Sequence, residues 1–215
     1  MIEGVIFDLD GVLVSTDELH YKAWKRLADE IGISDFGKED NEKQRGVSRM
    51  ESLQVVLDKG AKVYTEAEKV ALAERKNGYY KEMLSELDET ALLAGAMETI
   101  QKLKEQKKKI ALGSASRNAP LILEQVGLTP YMDKISSGLD TTRSKPDPEV
   151  FLIAAKKLGL APENCLVVED SAAGIQAAKA AGMRTLGVGP YHGTLQADYD
   201  VESLAAKINW IEVLK

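Results

Sequence analysis

Four short and largely apolar runs recur along this chain, and stretches with helical periodicity separate them. The runs cover residues 5–7, 109–113, 166–168 and 185–188. Continuous apolar runs of this length are typical of parallel strands that are buried on both faces. Strands that alternate with helices form βαβ units with right-handed crossovers. The pattern therefore predicts an α/β fold whose core is a Rossmann-like, doubly wound parallel sheet.

The helical patterns between these runs have recognisable ends. They cover residues 96–106, 119–126, 148–158 and 172–181. Asp147 and Pro148 are typical of a helix start, with the aspartate as N-cap and the proline as the first helical residue. Gly159 and Gly182 follow the last two patterns, and glycine commonly ends a helix.

The region from 16 to 87 interrupts the alternation, because it has several helical patterns and no convincing strand. We predict a core domain of residues 1–14 and 89–215, and a helical cap domain of residues 15–88 inserted after the first strand. The two linkers, near Val14 and Asp88, would then lie close together and act as a hinge. Ligands of doubly wound sheets bind beyond the carboxyl ends of the strands, so the cap would cover that edge as a lid.

Charge and composition argue against several classes of protein. The 215 residues carry a net charge of −6, whereas proteins that hold nucleic acid usually present a basic surface. The single cysteine, Cys165, cannot form an internal disulfide or a cysteine-based metal site, and its apolar neighbours predict a buried side chain. No run approaches the roughly 18 apolar residues of a membrane span, and no signal peptide is evident. We expect a cytoplasmic protein that binds neither nucleic acid nor membrane, and we expect it to act as a monomer.

Four polar segments follow the predicted core strands or come shortly after them. They are DLDG at 8–11, GSAS at 113–116, Lys145 with Pro146, and EDS at 169–171. The carboxyl ends of parallel strands share one edge of a sheet, so these segments should meet there. Carboxylate oxygens suit Mg²⁺, and Lys145 offers a positive charge to a phosphoryl oxygen. Ser114 and Ser116 precede a helix, whose N-terminal amides bind anions, so the four segments together predict a cation and phosphate site.

Each segment alone also has a purely structural explanation. Gly11 could supply the positive φ of a turn, and Lys145 could be a solvated loop residue. Ser116 and Ser171 could be helix N-caps. All four segments coincide with predicted strand ends, and this agreement favours the site.

The order DLDGV, GSAS, KPDPEVF and VVEDSAAG resembles the haloacid dehalogenase superfamily of aspartate-nucleophile phosphotransferases, over essentially the whole chain. The resemblance implies that Asp8 attacks a phosphoryl group and forms an aspartyl phosphate, and that Asp10 is the general acid and base. It also implies a Mg²⁺ ion and a set of groups that hold the transferring phosphoryl oxygens. The implied metal ligands are Asp8, the Asp10 backbone carbonyl, Glu169 and Asp170, and the implied phosphate-binding residues are Ser114, Ala115 and Lys145.

The motifs of the insert resemble, more narrowly, the phosphoglucomutase branch of that superfamily. They are Thr16, His20 and Trp24, then GVSR at 46–49 with Ser52, RKN at 75–77 and SASRN at 114–118. Resemblance to this branch implies interconversion of β-glucose 1-phosphate and glucose 6-phosphate through β-glucose 1,6-bisphosphate, which also primes the enzyme. The implied sugar-phosphate-binding residues are Thr16, His20, Trp24, Gly46, Val47, Ser48, Arg49, Ser52, Lys76, Ser116, Arg117 and Asn118.

A mutase of this kind needs a second anion site away from the metal, because its bisphosphate intermediate binds either way round. Arg49 is the candidate, and Arg117 and Asn118 on the core side are its expected partners. Ser48 and Glu51 form a predicted capping box, which puts Arg49 in the first turn of a helix beside free amides. The alternative is that Ser48 only caps the helix and that Arg49 is a surface residue.

His20 also has two interpretations. It shares a predicted helical stripe with Trp24 and Leu27, so it could be a packing residue. The resemblance instead implies that His20 hydrogen bonds near Asp10 and couples lid closure to the protonation of that aspartate. Lys76 would complete this link from the second half of the cap.

Three positions depart from the pattern of the phosphoglucomutase branch. Ser15 replaces an aspartate at the presumed hinge, Gln44-Arg45 replaces leucine and lysine in the cap, and Arg117 replaces a lysine. Residues Ser15 to Glu18 read as a capping box of their own, which would preserve the helix start. Two other functions stay open: a sugar-phosphate phosphatase with water as acceptor, and a non-catalytic phosphosugar-binding module.

Overall fold

The computed structural model describes residues 1–44 and 47–215, and its core is a six-stranded parallel sheet. The strands are β1 (Gly4–Phe7), β2 (Lys109–Gly113), β3 (Lys134–Ser136), β4 (Cys165–Glu169), β5 (Arg184–Gly187) and β6 (Tyr199–Asp200). Their order across the sheet is β3-β2-β1-β4-β5-β6. The predicted doubly wound parallel sheet is therefore confirmed, and the four predicted strands form its centre.

The two edge strands, β3 and β6, were not predicted from the sequence. They have three and two residues, respectively. Their residues are mixed in polarity and partly exposed, so they lack the continuous apolar run that marks a central strand.

Helices flank the sheet and also form most of the region that follows β1. They are α1 (Asp17–Glu30), α2 (Lys38–Glu42), α3 (Arg49–Leu57), α4 (Glu66–Leu84), α5 (Ala96–Glu105), α6 (Ala119–Gln125), α7 (Glu149–Leu158), α8 (Ala172–Ala180) and α9 (Trp210–Val213). The helices predicted over 96–106, 119–126 and 172–181 are confirmed to within one residue. α7 begins at Glu149, one residue later than predicted, because Pro148 is its N-cap. Asp147 still accepts a hydrogen bond from the Glu149 N–H at 3.0 Å.

Alternate residues of the central strands face two separate apolar layers. Val5 and Phe7 pack on the face covered by α5 and α6. Ile6 packs on the opposite face, which α7 and α8 cover, and the predicted burial of Cys165 on that face is confirmed. Burial on both faces explains why these strands read as continuous apolar runs.

The region between β1 and α5 is helical, and its described residues contain no strand of the sheet. Its helices bury an apolar cluster of their own, which includes Trp24, Phe36 and Leu53. Tyr80 and Leu84 of α4 pack instead with the apolar core of the sheet. The division into domains at 14/15 and 88/89 stays a prediction. No helix among the described residues combines the length and the apolar composition of a membrane span.

The two linkers between this helical region and the sheet run side by side. Val14 forms an antiparallel bridge with Leu92. The Ser15 N–H donates to the Ala91 carbonyl at 3.1 Å, and the Leu93 N–H donates to the Leu13 carbonyl at 2.9 Å. Both connections therefore leave the sheet at one place, beside the end of β1.

The capping box predicted from Ser15 to Glu18 is wrong. α1 begins at Asp17, its N-cap is Thr16, and no side chain caps the helix. The Thr16 hydroxyl instead donates a hydrogen bond to the Asp10 carboxylate, while Ser15 is exposed. The observed N-cap residue, Thr16, therefore gives its hydroxyl to the candidate site and not to the helix.

Candidate active site

The centre of the candidate site is a buried group of three charges at the carboxyl edge of the sheet. Asp8 follows β1, Glu169 ends β4, and Lys145 comes from the loop after β3. The Lys145 ammonium lies 2.6 Å from Asp8 Oδ1 and 2.7 Å from Glu169 Oε2. Lys145 is only 3% exposed and also lies 4.7 Å from the centre of the Phe151 ring. The alternative of a solvated loop lysine is therefore wrong.

Local backbone structure fixes Glu169 in this group. Its Oε1 accepts hydrogen bonds from the Asp170 and Ser171 N–H groups, at 3.1 and 3.0 Å, and from the Ser171 hydroxyl at 2.9 Å. Gly174 lies one turn into α8, and a Cβ at this position would overlap the Glu169 carboxyl group. Sequence analysis missed Gly174, although a glycine inside a helix is a signal of close packing.

Three carboxylates at this edge could hold a metal ion. One oxygen each from Asp8, Glu169 and Asp170 can be chosen so that all lie within 4.8 Å of one another. All three residues are buried. Hard carboxylate oxygens are the ligands that Mg²⁺ prefers, so the donor set fits the cation that the sequence predicts.

The buried charges shift one another's protonation. Burial raises the pKa of Asp8 to about 8, although Lys145 acts in the opposite direction. Burial alone would lower the pKa of Lys145, but the Asp8 and Glu169 carboxylates outweigh it and raise that pKa above its usual value. Lys145 is therefore an ammonium at neutral pH, and a further positive charge near Asp8 would favour its ionised form.

Asp10 lies beside this group in a different environment. Burial raises its pKa to about 6, against the effect of the Thr16 hydrogen bond. A carboxyl group with this pKa exists in both protonation states near neutral pH, as a general acid and base requires. Thr16 is fully buried, so its hydroxyl holds the Asp10 carboxylate without lining the cavity.

A second buried lysine, Lys76, comes from α4 of the cap region. Its ammonium lies 4.6 Å from the centres of both the Trp24 and the Tyr80 rings, and 2.9 Å from His20 Nδ1. Burial lowers the pKa of Lys76 to about 7, and burial together with Lys76 lowers the pKa of His20 well below its usual value. His20 is therefore neutral and joined to Lys76, while Thr16 is the residue that hydrogen bonds to Asp10.

Arg49 begins α3, where Ser48 and Glu51 form the predicted capping box. Arg49 Nη1 lies 2.6 Å from Glu74 Oε1. Arg49 Nη2 donates to Asn77 Oδ1 at 3.1 Å, and the same oxygen accepts a hydrogen bond from the Asn118 amide at 2.9 Å. Asn77 thus joins a cap residue to a core residue. The sequence motif RKN contains Asn77, but Asn77 was not among the predicted site residues.

The loop after β2 carries the remaining predicted core residues. Ser114 Oγ accepts a hydrogen bond from the Ser116 N–H at 3.1 Å, and Ser116 Oγ accepts one from the Asn118 N–H at 3.2 Å. The N-cap of α6 is Asn118, so the alternative that Ser116 caps this helix is wrong. Ser171 is the N-cap of α8, as the structural alternative proposed, but it also binds Glu169.

These groups line one cavity of about 130 Å³. The predicted residues that line it are Asp8, Asp10, His20, Trp24, Val47, Arg49, Ser52, Lys76, Ser114, Ala115, Ser116, Arg117, Asn118, Lys145, Glu169 and Asp170. Two other predicted residues do not line this cavity: Thr16 hydrogen bonds to Asp10, and Ser48 lines a neighbouring cavity. Gly46 and Arg45 lie outside the described residues. Asp17, Asn41, Gln44 and Asn77 also line the cavity and were not among the predicted site residues.

Gln44 is one of the two cap residues, with Arg45, that depart from the sequence pattern of the phosphoglucomutase branch, and it lies within the described residues. Its amide nitrogen donates to the Ser52 carbonyl at 2.8 Å. Its buried carbonyl oxygen has no hydrogen-bond partner within residues 1–44 and 47–215. Because Gln44 lines the cavity, this oxygen is available to accept a hydrogen bond from a ligand.

Fold and site together define an α/β protein with a helical insert after β1 and a group of buried carboxylates at the carboxyl edge of its sheet. The chain belongs to the haloacid dehalogenase-like hydrolase family, whose model matches residues 2–182. This finding confirms the resemblance seen in the core motifs.

Two similar proteins cover nearly the whole chain. The β-phosphoglucomutase of Bacillus subtilis (strain 168) is 42% identical over 199 residues, which are 92% of this chain and 88% of that protein. A crystal structure of β-phosphoglucomutase from Clostridium difficile has a TM-score of 0.92 and 41% identity, covering 99% of this chain and 96% of that one.

A phosphatase is also similar to this chain. The phosphorylated carbohydrates phosphatase of Thermotoga maritima is 31% identical over 188 residues, which are 86% of this chain and 84% of that protein. Mutases and phosphatases therefore occur among the relatives of this chain.

Proposed function

We propose that this chain is a phosphoglucomutase that interconverts β-glucose 1-phosphate and glucose 6-phosphate through β-glucose 1,6-bisphosphate. The observation that carries the proposal is a cavity with two sets of anion-binding groups, Lys145 on the core side and Arg49 with Arg117 on the side toward the cap. A bisphosphate needs a cation at each end. The similarity to β-phosphoglucomutases over nearly the whole chain supports the same conclusion.

Asp8 is the proposed nucleophile. One of its carboxylate oxygens attacks the phosphorus in line, a P–O bond forms to Asp8, and the bond to the sugar oxygen breaks. When the substrate is the bisphosphate, glucose 6-phosphate leaves with the proton that Asp10 donates to the C1 oxygen, and an aspartyl phosphate remains on Asp8. This phosphoryl group then passes to the C6 hydroxyl of β-glucose 1-phosphate: Asp10 takes the proton of that hydroxyl, the bond from phosphorus to Asp8 breaks, and β-glucose 1,6-bisphosphate forms again.

The negative charges in this step need compensation. Mg²⁺, held by Asp8, Glu169, Asp170 and the Asp10 backbone carbonyl, would neutralise part of the charge on the phosphoryl group and its nucleophile. Lys145 supplies a fixed positive charge 2.6 Å from Asp8. Ser114 and the Ala115 amide would hold the other phosphoryl oxygens, because both line the cavity beside Lys145.

The second phosphate would bind between the cap and the core. Arg49, Arg117, Ser116 and Asn118 line this part of the cavity and offer the donors that a phosphate accepts. The sugar itself would contact His20, Trp24, Val47, Ser52 and Lys76 of the cap. Ser48, the N-cap of the helix that begins with Arg49, would lie beside the second phosphate, and Gly46 stays a predicted contact outside the described residues.

Residues 15–88 would act as a cap domain that closes over the sheet edge around the paired linkers. Closure would exclude water from the aspartyl phosphate and leave the sugar hydroxyl as the acceptor. The working unit would be a monomer, because one chain supplies every predicted site residue that the structure describes. Its place would be the cytoplasm, where phosphorylated sugars are metabolised.

The first experiment follows both products of a single reaction. The protein is mixed with Mg²⁺, β-glucose 1-phosphate and a trace of β-glucose 1,6-bisphosphate, and glucose 6-phosphate and free phosphate are measured in parallel. Rapid formation of glucose 6-phosphate with little phosphate supports the mutase. Free phosphate as the main product would overturn the mutase and identify a sugar-phosphate phosphatase, whereas binding without either product would identify a non-catalytic phosphosugar-binding protein.

A further inference from the structure

Asn77 joins two groups that the proposed function assigns to the second phosphate. It is a buried residue of α4, on the cap side. Its amide oxygen accepts a hydrogen bond from Arg49 Nη2 at 3.1 Å and another from the Asn118 amide nitrogen at 2.9 Å. Arg49 begins α3, whereas Asn118 precedes α6 on the core side. One oxygen therefore brings together a donor from the cap and a donor from the core.

These two hydrogen bonds fix the orientation of the Asn77 amide group. A guanidinium can only donate, so the Asn77 atom that faces Arg49 must be the amide oxygen. The amide nitrogen then lies at the other end of the group. It has no acceptor within residues 1–44 and 47–215, and the protein does not enclose it. Because Asn77 lines the cavity that contains Asp8, this nitrogen is a donor that a ligand can reach.

The two partners of Asn77 also keep hydrogens for a ligand. Arg49 Nη2 and the Asn118 amide nitrogen carry two hydrogens each, and each nitrogen uses one of them on Asn77. Both residues line the same cavity as Asn77. Three nitrogens, one of them charged, are thus grouped around one amide, and phosphate oxygens accept hydrogen bonds from such donors.

Asn118 makes this contact in place of a local one. It is the N-cap of α6, a position where asparagine commonly accepts a hydrogen bond from the helix backbone. Its side chain makes no such bond and donates to Asn77 instead. The side chain therefore serves the meeting of core and cap, and not the start of its own helix.

We propose that Asn77 is a further ligand of the second phosphate and the residue that assembles its site. The amide nitrogen of Asn77 donates to a phosphate oxygen, while its amide oxygen holds Arg49 and Asn118 beside the same phosphate. This inference rests on the proposed function, in which Arg49 holds the second phosphate. Since Asn77 belongs to the cap and Asn118 to the core, a phosphate bound to both also holds cap and core together.

The test uses Asn77→Ala, because alanine favours a helix more than asparagine does and creates no overlap. The ligand is a bisphosphonate analogue of β-glucose 1,6-bisphosphate, in which carbon replaces the bridging oxygens and prevents phosphoryl transfer. Calorimetry with Mg²⁺ present should show that its dissociation constant rises by about 10- to 100-fold, since hydrogen bonds to a charged group are lost. Hydrolysis of methyl phosphate, which is too small to reach the cap, should keep its wild-type kcat/KM and so report an intact core side.

Direct contact with the phosphate is measured by nuclear magnetic resonance of ¹⁵N-labelled protein. The pair of side-chain amide signals that is missing from Asn77→Ala identifies Asn77 in the wild type. The bisphosphonate should move one of these two proton signals downfield, as a hydrogen bond to a charged oxygen does. Methylphosphonate, which occupies only the core side, should leave both signals in place.

Two further variants separate this role from a general loss of an amide. Gln54→Ala removes an exposed amide from α3, where Gln54 donates to Asp58 at 2.6 Å, and it should change neither affinity nor hydrolysis. In Arg49→Ala, adding Asn77→Ala should raise the dissociation constant by a smaller factor than in the wild type, because one of the groups that Asn77 holds is already gone.

Unchanged affinity of Asn77→Ala for the bisphosphonate would overturn the inference, and so would an equal loss in methyl phosphate hydrolysis. Amide signals that stay in place would refute the direct bond to phosphate. The same factor with and without Arg49 would refute the assembly of the site by Asn77. Failure of the proposed function is seen separately, because the ratio of glucose 6-phosphate to free phosphate is measured on the wild type.

Discussion

The two sides of the candidate site hold their charges in different ways. On the core side, Asp8, Lys145 and Glu169 are almost completely buried and pair with one another across distances of 2.6 and 2.7 Å. On the cap side, Arg49 pairs with a carboxylate that is more than half exposed. The core charges hold one another in place almost without contact with solvent, whereas Arg49 can exchange its solvent-exposed partner for a ligand.

This difference fits two separate roles, bond making on the core side and substrate recognition on the cap side. Groups that take part in bond making need fixed positions, and buried ion pairs between strand ends provide them. Groups that recognise a substrate which binds in two orientations need partners that leave easily. Four substitutions test whether the two sides differ in this way, and their expected effects decrease in the order in which they follow.

Asp8→Asn should have the largest effect, because it removes the proposed nucleophile. We expect kcat for glucose 6-phosphate formation to fall by more than about 10⁴-fold, while the fold is kept. Steady-state assays give the rate and circular dichroism gives the fold. Asp29→Asn, which removes a surface carboxylate paired with Lys25, is the control and should be fully active. Substantial activity of Asp8→Asn would refute the proposed mechanism.

Lys145→Met tests the rigidity of the core side. It leaves Asp8 and Glu169 buried without their shared cation, and we expect a loss of about 3–5 kcal/mol in the free energy of unfolding without metal. Mg²⁺ should restore part of this loss. Urea denaturation with and without Mg²⁺ measures both values. Lys104→Met breaks an exposed pair with Asp133 and should cost below about 1 kcal/mol; an equally small loss for Lys145→Met would contradict the comparison.

Arg49→Ala tests the cap side. It removes the charged donor that would hold the second phosphate, so KM for β-glucose 1-phosphate should rise by about 10- to 100-fold. Hydrolysis of a small phosphate ester that cannot reach the cap should be little affected. The two KM values are compared in the same preparation, with Arg26→Ala as the control for loss of a cap arginine. Equal losses on both compounds would mean that Arg49 does not hold the second phosphate.

Lys76→Met tests the buried lysine of the cap through pH. The pKa of Lys76 is about 7 in the folded protein and about 10.4 in an unfolded chain. Between these values the unfolded state binds more protons, so the wild type should gain stability relative to the variant as pH rises, by at most about 2 kcal/mol from pH 7 to about pH 8.5. Below pH 7 the difference should be constant. Urea denaturation at several pH values measures the gain.

Lys81→Met, on the same helix, is the control for Lys76 because its side chain is exposed. Its stability should follow that of the wild type in parallel at every pH. Parallel curves for Lys76→Met as well would show that Lys76 has an ordinary pKa and is not desolvated by Trp24 and Tyr80.

Sequence patterns predicted the features that repeat or that end strands. The central strands were found because burial on both faces requires continuous apolar runs, and Asp8 and Glu169 were found because they directly follow such runs. Lys145 was found through the KPDPEVF motif. The edge strands β3 and β6 were missed because they are short and partly exposed.

Other features depend on contacts that local patterns do not contain. Lys145 reads as a surface residue until its partner, 137 residues earlier in the chain, is known. Glu74 reads as an ordinary exposed acid of a helix, and its contact with Arg49 spans 25 residues. Thr16 lies within the predicted capping box, but its hydroxyl donates a hydrogen bond to the Asp10 carboxylate and does not cap the helix.

The three buried charges also have a consequence for how the chain folds. Lys145 is 137 residues from Asp8 and 24 from Glu169, so none of the three can meet its partners through local structure. Burying one of them before the others arrive costs several kcal/mol. In a partly assembled sheet this edge therefore stays hydrated. The segments that carry Asp8, Lys145 and Glu169 lose their water at the same stage of folding. We therefore expect the ion pairs that hold Asp8 in place to make this edge of the sheet a late and cooperative step in folding.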